Sequence, residues 1–305
     1  MRVVAEDLWF PEGPVWLPDG SIVLVEIRRG TLTRIWPDGR KSIVANLGGG
    51  PNGAALGPDG AIYVCNNGGF KWAERNGRIT LVGTPDDYVS GRIERVDLVT
   101  GKFERLYDSV DGRRLCGPND IVFDAHGGFW FTDMGKTRER DMDLGRVCYA
   151  KPDGSMVREV IFPMWKPNGI GLSPDGKTLY VAETETARLW AWDVTAPGVV
   201  AAAPDVAVKA AHGGRLIYTP HTYARFDSMA VEANGFICVA TLGMGGICVC
   251  GPDASGAEFI ASGDDFTTNI CFGGADMKTA WLTLSGRGEL LQMAWPRAGL
   301  KLNAY

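Results

Sequence analysis

Short apolar runs separated by tight turns recur along this chain and predict strands. In the first unit the runs are GPVWL, SIVLVE, TLTRIW and RKSIVA, joined by PDG turns and a short loop. Alternating, aromatic-rich runs of about five residues with Asp-Gly turns between them are typical of antiparallel meander sheets. Helical periodicity extends over no more than a turn or two anywhere in the sequence. We therefore expect an all-β chain.

The four-strand unit recurs six times. Later second strands are AIYVCN, GFWFTD, KTLYVAE, FICVAT and KTAWLT. Six such sheets around one axis predict a six-bladed β-propeller of four-stranded antiparallel blades, forming a single domain over residues 1–305. The segment VVAEDL is expected to pair with the last blade and close the ring. A linear array of sheets or a sandwich is the alternative, but neither explains the constant spacing described next.

A polar residue opens each unit, always seven positions before the middle of a turn. The six pairs are Glu12 with Asp19, Asn52 with Asp59, Asn119 with His126, Asn168 with Asp175, Asp227 with Asn234, and Asn269 with Asp276. We call the first members the ring residues. Because they open the innermost strands, they are expected at one mouth of the central channel, with the turns on the opposite face.

Two carboxylates and four carboxamides on one axis predict a site for a hard cation. Oxygen ligands suit Ca²⁺, Mg²⁺ or Mn²⁺ better than a thiophilic metal, while Zn²⁺ and Fe²⁺ stay possible at an open site. We expect one divalent cation, Ca²⁺ before the others. Such a cation polarises a carbonyl or lowers the pKa of bound water. Asp227 or Glu12 would then accept the proton of the attacking water.

Five stretches carry a family resemblance, in the family's order and over nearly the whole chain. They are PEGPVW, GPNDIVFDAHGGFWFTD, KPNGIGLSPDGKTLYVAET, DSMAVEANGFICVAT and NICFGGADMKTAWLT. The chain resembles the gluconolactonase and senescence-marker-protein (regucalcin) family, six-bladed propellers that open sugar lactones with a divalent metal. The resemblance implies metal ligation by Glu12, Asn168 and Asp227, with Asp227 as general base. It also implies that Asn119 completes the metal shell or holds an aldonolactone substrate.

Two positions depart from the family pattern. Animal-type members place an arginine where this chain has Gly117, two residues before Asn119. Bacterial gluconolactonase-like members often follow FTD with proline and a Tyr-Gly pair, whereas Asp133 here leads into MGKTRERD. Both departures lie at positions expected to face the substrate, so a less polar lactone or an ester is also possible.

Loops at the ring mouth are expected to set specificity. Residues 67–90 form a long insertion in which Phe70 and Trp72, with Tyr88, are predicted to cover the channel as an apolar lid. The connection over 199–226 brings His221 close to Asp227 in sequence. Asn52, Asn119 and Asn269 complete the predicted substrate contacts. Asp133 and Glu183 end second strands at the mouth, as supporting groups or as ligands of another cation.

Composition excludes several partners. With 31 basic and 36 acidic residues in mixed order and a net charge of −5, the chain has no basic nucleic-acid footprint and no polybasic membrane anchor. It has no apolar run of about 18 residues and no apolar leader in MRVVAEDLWF. Its seven cysteines lack any C-x-x-C spacing and are expected as buried thiols. We expect a cytoplasmic monomer or weak homo-oligomer acting on a small-molecule lactone.

Two other functions stay open at this point. Related propellers of the diisopropyl fluorophosphatase and paraoxonase type hydrolyse organophosphates or esters with a similar oxygen-ligated Ca²⁺. A non-enzymatic calcium-binding propeller is the other alternative, because fold alone does not determine function. No serine lies in a G-x-S-x-G frame, so a serine-histidine triad has little support.

Overall fold

The computed structural model describes residues 1–75, 77–201 and 210–302. These residues form strands and turns and include no α-helix, so none of them belongs to a helix that could cross a bilayer. Most of these strands form six antiparallel sheets arranged as a six-bladed β-propeller, which confirms the predicted fold class.

Blades 1, 3 and 5 each consist of four consecutive strands, which run outward from the channel. The strands of blade 1 are Pro11–Trp16, Ile22–Glu26, Thr31–Ile35 and Lys41–Asn46. Those of blade 3 are Pro118–Phe123, Phe129–Asp133, Gly145–Ala150 and Val157–Met164. Those of blade 5 are Arg225–Val231, Ile237–Leu242, Gly246–Cys250 and Ala257–Ala261.

Blades 2 and 4 carry additions. Blade 2 comprises Pro51–Leu56, Ile62–Asn66, Arg92–Val96 and Phe103–Tyr107, with a separate hairpin of Lys71–Arg75 and Arg78–Gly83 inside the long insertion. A small ribbon, Ser109–Val110 with Arg113–Arg114, follows it. Blade 4 comprises Pro167–Leu172, Thr178–Glu183 and Arg188–Ala196, whose outer edge pairs with Val199–Val200 and Arg215–Tyr218.

Blade 6 closes the propeller as the sequence predicted. Its inner strands are Thr267–Gly273, Thr279–Leu284 and Glu289–Ala294, and the amino-terminal strand Arg2–Ala5 pairs with the last of these. The segment that leads into blade 1 therefore also supplies the outermost strand of blade 6. This arrangement leaves the channel surrounded by paired strands.

Apolar layers between neighbouring blades form the core. Tyr63 of blade 2 meets Phe123 of blade 3 edge to face, with 5.0 Å between ring centroids. Trp130 of blade 3 is fully buried in one cluster with Trp190 and Trp192 of blade 4. Each large side chain buried in this way stabilises the fold by about 1.5–3 kcal/mol.

The turns after the inner strands lie at the end of the channel away from the ring residues. In the first two blades the carboxylates of Asp19 and Asp59 accept the amides of Ser21 and Ala61, two residues further on. Gly20 has φ +83°, a left-handed conformation that only glycine adopts without strain. These turns return the chain into the second strand. All seven cysteines are free thiols, five of them buried.

Candidate active site

The six ring residues sit near the start of the inner strands and are all buried. They are 2–9% exposed. Proline precedes four of them, and at the start of a strand it leaves no ladder amide unpaired. The six residues are Glu12, Asn52, Asn119, Asn168, Asp227 and Asn269.

A β-bulge directs these side chains into the channel. In every blade the register between the first and second strands shifts at or next to the ring residue. A bulge interrupts the ladder and re-aims a side chain. Neighbouring inner strands also approach closely. A Cβ atom added to Gly53 would lie only 2.4 Å from the carbonyl oxygen of Asn119. Glycine after the ring residue in blades 1, 2 and 4 therefore permits this close approach around the axis.

The residue that ends the second strand in blades 1 to 4 holds the loop that leads into the ring. In each case its side-chain oxygen accepts a main-chain amide two or three residues before the ring residue. The pairs are Glu26 with Trp9, Asn66 with Gly50, Asp133 with Gly117, and Glu183 with Trp165. Sequence reasoning singled out only the last two acids, although all four second strands end on a polar residue.

Asp133 and Glu183 anchor these loops, and both carboxylate oxygens of each residue accept hydrogen bonds. Asp133 also accepts the amide of Cys116 at 3.1 Å and the guanidinium of Arg146 at 3.0 Å. Glu183 accepts Trp190 Nε1 at 3.0 Å and a threonine hydroxyl. Their position agrees with a supporting role behind the ring.

The carboxyl groups of the two acidic ring residues, Glu12 and Asp227, interact electrostatically near the axis. Glu12 Oε2 accepts the amide of Gly13 at 2.6 Å and Asn269 Nδ2 at 2.7 Å. Burial, followed by the charge of Asp227, raises the pKa of Glu12 well above its usual value. Burial likewise raises the pKa of Asp227 to about 7, against a hydrogen bond from Asn168 that lowers it. Both carboxyls lie in a site that disfavours their own negative charge.

Asp120 adds a third buried carboxyl that sequence reasoning missed. It follows Asn119 directly and lies one position off the repeated spacing, so the repeat did not single it out. Burial raises the pKa of Asp120 to about 7, and the charge of Asp227 contributes. Glu12 and Asp227 are the only carboxylates among the six ring residues, but the charge of Asp120 also contributes to the raised pKa of Glu12.

The donor set fits a hard divalent cation. Within the described residues no basic side chain forms an ion pair with Glu12, Asp120 or Asp227. Asn119 Oδ1 is buried and accepts no hydrogen bond, while Nδ2 of the same amide contacts Met134 Sδ at 3.0 Å. An unsatisfied buried acceptor costs about 1–3 kcal/mol. A cation bound by these oxygens would satisfy the acceptor and offset the negative charge.

Half of the predicted ligands are carboxamides. Accordingly, the described ranges contain no group of three or more His, Cys, Asp or Glu side chains suited to a metal ion. Oxygen-rich calcium sites often include amide and main-chain carbonyl oxygens alongside carboxylates.

A cavity of about 410 Å³ opens above five of the ring residues, all but Asn269. Asn269 instead donates to Glu12 and lines the cavity at the other end of the channel. Apolar side chains of the wall include Phe10, Ile27, Phe70, Leu81, Leu242 and Phe266. The blade 2 insertion supplies Phe70 and Leu81, so it covers one side of the cavity.

The remaining predicted substrate contacts lie elsewhere. Trp72 packs behind the wall, with its ring centroid 5.2 Å from that of Phe10 and 6.2 Å from that of Phe70. His221 is exposed and does not line the cavity. Tyr88 donates its hydroxyl to the carbonyl of Cys116 and so ties the insertion to blade 3.

Two buried lysines in the cavity wall were also missed. Lys136 and Lys166 are each 3% exposed and both line the cavity. Burial lowers the pKa of Lys136 to about 7, and the charge of Lys166 contributes. In the sequence, these lysines could have been noticed only by their positions. Lys136 lies in the unusual MGKTRERD stretch, and Lys166 directly precedes Pro167.

Comparison with known proteins places this geometry in a family context. The family model described as SMP-30/Gluconolactonase/LRE-like region matches residues 10–286. A gluconolactonase of Zymomonas mobilis is 25% identical over 90% of this chain and 76% of its own length. Lactonase drp35 of Staphylococcus saprophyticus is 29% identical over 78% of this chain, and the match spans 65% of that protein.

A solved structure shares the fold. The calcium-binding protein regucalcin of Agrobacterium tumefaciens superimposes with a TM-score of 0.73 at 19% identity, over 98% of this chain and 94% of the other.

Proposed function

Because this chain belongs to the SMP-30/gluconolactonase/LRE-like family, we propose that it hydrolyses a sugar-type lactone with one divalent cation, Ca²⁺, as its cofactor. The observation that carries the proposal is the convergence of Glu12 and Asp227 with the unpartnered Asn119 Oδ1 below a cavity of about 410 Å³. The names of the gluconolactonase and lactonase relatives support the substrate class, and the calcium-binding neighbour supports the choice of ion.

Glu12, Asn168, Asp227 and Asn119 would hold the ion. When bound there, a divalent cation polarises a substrate carbonyl and lowers the pKa of water. Ca²⁺ accepts six to eight oxygen ligands, so four protein groups leave positions for water and substrate. The anchors behind the ring hold the loops before Glu12, Asn119 and Asn168 in place before substrate arrives.

Asp227 is the proposed general base. Its carboxylate takes a proton from the water whose oxygen attacks the lactone carbonyl carbon. The bond between that carbon and the ring oxygen then breaks, and the departing oxygen receives the proton from the Asp227 carboxyl. One water is consumed, and the product is an open-chain hydroxy acid.

The cavity wall orients the substrate and excludes solvent. Asn52 and Asn119 offer amide groups to the hydroxyls of a sugar-type ring, while Phe70 presents an apolar face. Trp72 supports Phe70 from behind, and Asn269 orients Glu12. We place no substrate contact at His221, because its side chain is exposed.

Metal stripping and reconstitution test the proposal. Chelation should abolish ring opening of aldonolactones, followed by acid release at constant pH, and Ca²⁺ should restore the rate more fully than Mg²⁺, Mn²⁺ or Zn²⁺. An unchanged rate after verified removal of metal would refute the cation-dependent mechanism.

The same assay separates the alternative functions. A preference for phosphotriesters over lactones by orders of magnitude would assign the site to an organophosphate hydrolase. Stoichiometric Ca²⁺ binding with no turnover of lactones, esters or phosphotriesters would favour a calcium-binding propeller.

A further inference from the structure

The cavity has a positive side that the proposed reaction leaves unexplained. Lys136 Nζ donates to the carbonyl of Gly69 at 2.7 Å and to Asn67 Oδ1 at 3.3 Å, both uncharged acceptors. The ammonium also lies over the rings of Phe70 and Tyr88, at 4.6 and 4.9 Å from their centroids. Beside it, Asn67 Nδ2 is buried without an acceptor.

The ammonium group of Lys166 has fewer polar partners than that of Lys136. Its ammonium has no hydrogen bond and no ion pair with any residue that the structure describes. The main chain is in the left-handed region at φ +55°, and its carbonyl accepts the amide of Thr184 at 3.0 Å. The backbone is thus fixed in a conformation unfavourable for a lysine while the side chain stays at the cavity wall.

The nearby acids are already engaged by arginines. Asp143 forms an ion pair with Arg138 at 2.6 Å. Glu185 forms one with Arg225, also at 2.6 Å. Asp133 is held by Arg146, as described above. Two desolvated ammonium groups therefore share one cavity without a carboxylate partner, which is costly unless a ligand supplies the missing charge.

We propose that Lys136 and Lys166 form an anion subsite, and that the physiological lactone carries an anionic group, a carboxylate or a phosphate, which binds there. The inference rests on the proposed function, since the lactone carbonyl must face Asp227 when the anionic group meets the lysines. Charge-assisted hydrogen bonds from ammonium groups are shorter and about twice as strong as neutral ones. The hydroxyls of an uncharged sugar lactone would leave both positive charges uncompensated.

Three lactones of equal ring size test the subsite: a neutral aldonolactone, one bearing a carboxylate and one bearing a phosphate. The wild-type protein should favour one of the anionic lactones in kcat/KM by tenfold or more, and the better one identifies the anionic group. A preference for the neutral lactone would overturn the proposal.

Lysine variants separate an anion subsite from help at the reacting carbonyl. Lys136→Met and Lys166→Met should raise KM for the anionic lactone, with a loss in kcat/KM at least tenfold larger than for the neutral lactone. Lys136→Gln provides a second, polar variant if the methionine change impairs folding. Lys71→Met is the matched control, because this exposed lysine lies in the same insertion and forms an ion pair with Asp86. Equal losses in kcat on both substrates would assign the lysines to the reacting carbonyl and contradict the proposal.

A binding measurement keeps this inference independent of turnover. Calorimetry with inorganic phosphate as the probe should show binding to the calcium-loaded protein that Lys136→Met and Lys166→Met weaken at least tenfold and Lys71→Met does not. Lysine-dependent binding in a protein that opens no lactone would retain the subsite while refuting the proposed reaction. Phosphate binding that is unchanged in both methionine variants would refute the subsite.

Discussion

The two ends of the central channel use the same six inner strands but differ in their chemistry. At one end the strands begin with the buried polar ring below the cavity of about 410 Å³. At the other they end in apolar residues that line a cavity of about 490 Å³. Those apolar residues are Val15, Leu56, Phe123, Leu172, Val231 and Phe272.

Two aspartates of blades 4 and 5 show what the difference means. Asp175, in the turn at the apolar end, accepts the hydroxyl of Ser173, which lowers its pKa. Burial raises the pKa of Asp227 to about 7 at the ring end. The carboxylate of Asp175 accepts hydrogen bonds from its own turn. The carboxyl of Asp227 is buried by the rest of the fold, which disfavours its charged form. Such perturbed groups are typical of functional sites.

The largest expected effect on kcat comes from replacing these two aspartates by asparagine, one at a time. Asp227→Asn removes the proposed base and should lower kcat by about 10²–10⁴-fold. Asp175→Asn makes the same chemical change at the far end and should leave kcat within about twofold, because surface substitutions rarely disturb distant sites. Steady-state lactone hydrolysis with matched circular dichroism spectra checks both. Comparable rates for Asp227→Asn and wild type would rule out Asp227 as the base.

A pH series on chelated protein sharpens the electrostatic contrast. Burial raises the folded-state pKa of Asp227 and of Asp120 to about 7, above an unfolded value of about 3.9. The folded state then binds more protons than the unfolded state between these values, so the free energy of unfolding should fall as pH rises from about 4 to 7. Each pKa unit corresponds to about 1.4 kcal/mol.

Denaturant unfolding without metal measures this slope. Asp227→Asn should flatten it and Asp175→Asn should not, and Ca²⁺ added at pH 8 should raise the midpoint. A pH-independent midpoint in metal-free wild type would contradict the assigned burial of charge.

Asp133→Ala tests whether the anchors hold the ring. The change leaves Arg146 and the amides of Cys116 and Gly117 without their carboxylate, which should destabilise the fold by about 3–5 kcal/mol. It should also lower kcat for lactone opening by about tenfold, because Asn119 follows this loop. Glu159→Ala is the control, since Glu159 pairs with the same arginine at 3.3 Å but lies further from the ring. Loss of stability with unchanged kcat would limit Asp133 to a structural role.

The smallest effect is expected at the apolar end. Leu300 donates its amide to the carbonyl of Val231 and lines the cavity there. Leu300→Ala should cost about 1 kcal/mol in the free energy of unfolding and leave lactone kcat unchanged. Leu302→Ala, at a more exposed position, should cost less. A marked fall in kcat for Leu300→Ala would show that the two ends of the channel are coupled.

Much of this architecture follows from the sequence alone. Strand geometry is local, so a constant spacing of seven residues between Asn168 and Asp175, repeated in every blade, is enough to predict a polar ring at one end and turns at the other. The sequence also led us to expect that VVAEDL would pair with the last blade, and the structure confirms the pairing. Glu12 and Asp227 could be singled out because carboxylates are rare at the repeated position.

Only the tertiary structure decided which other groups meet at the ring. Asp120 lies off the repeat, and Lys136 and Lys166 belong to loops without any period. No spacing therefore predicted Asp120 beside the ring residues or the two lysines in the cavity above them. The sequence likewise did not determine three other features of the site. Trp72 packs behind Phe70, Asn269 donates a hydrogen bond to Glu12, and His221 is exposed. A repeated strand dictates its own side-chain directions, but the path of a loop and the burial of a charge depend on neighbours that are distant in the chain.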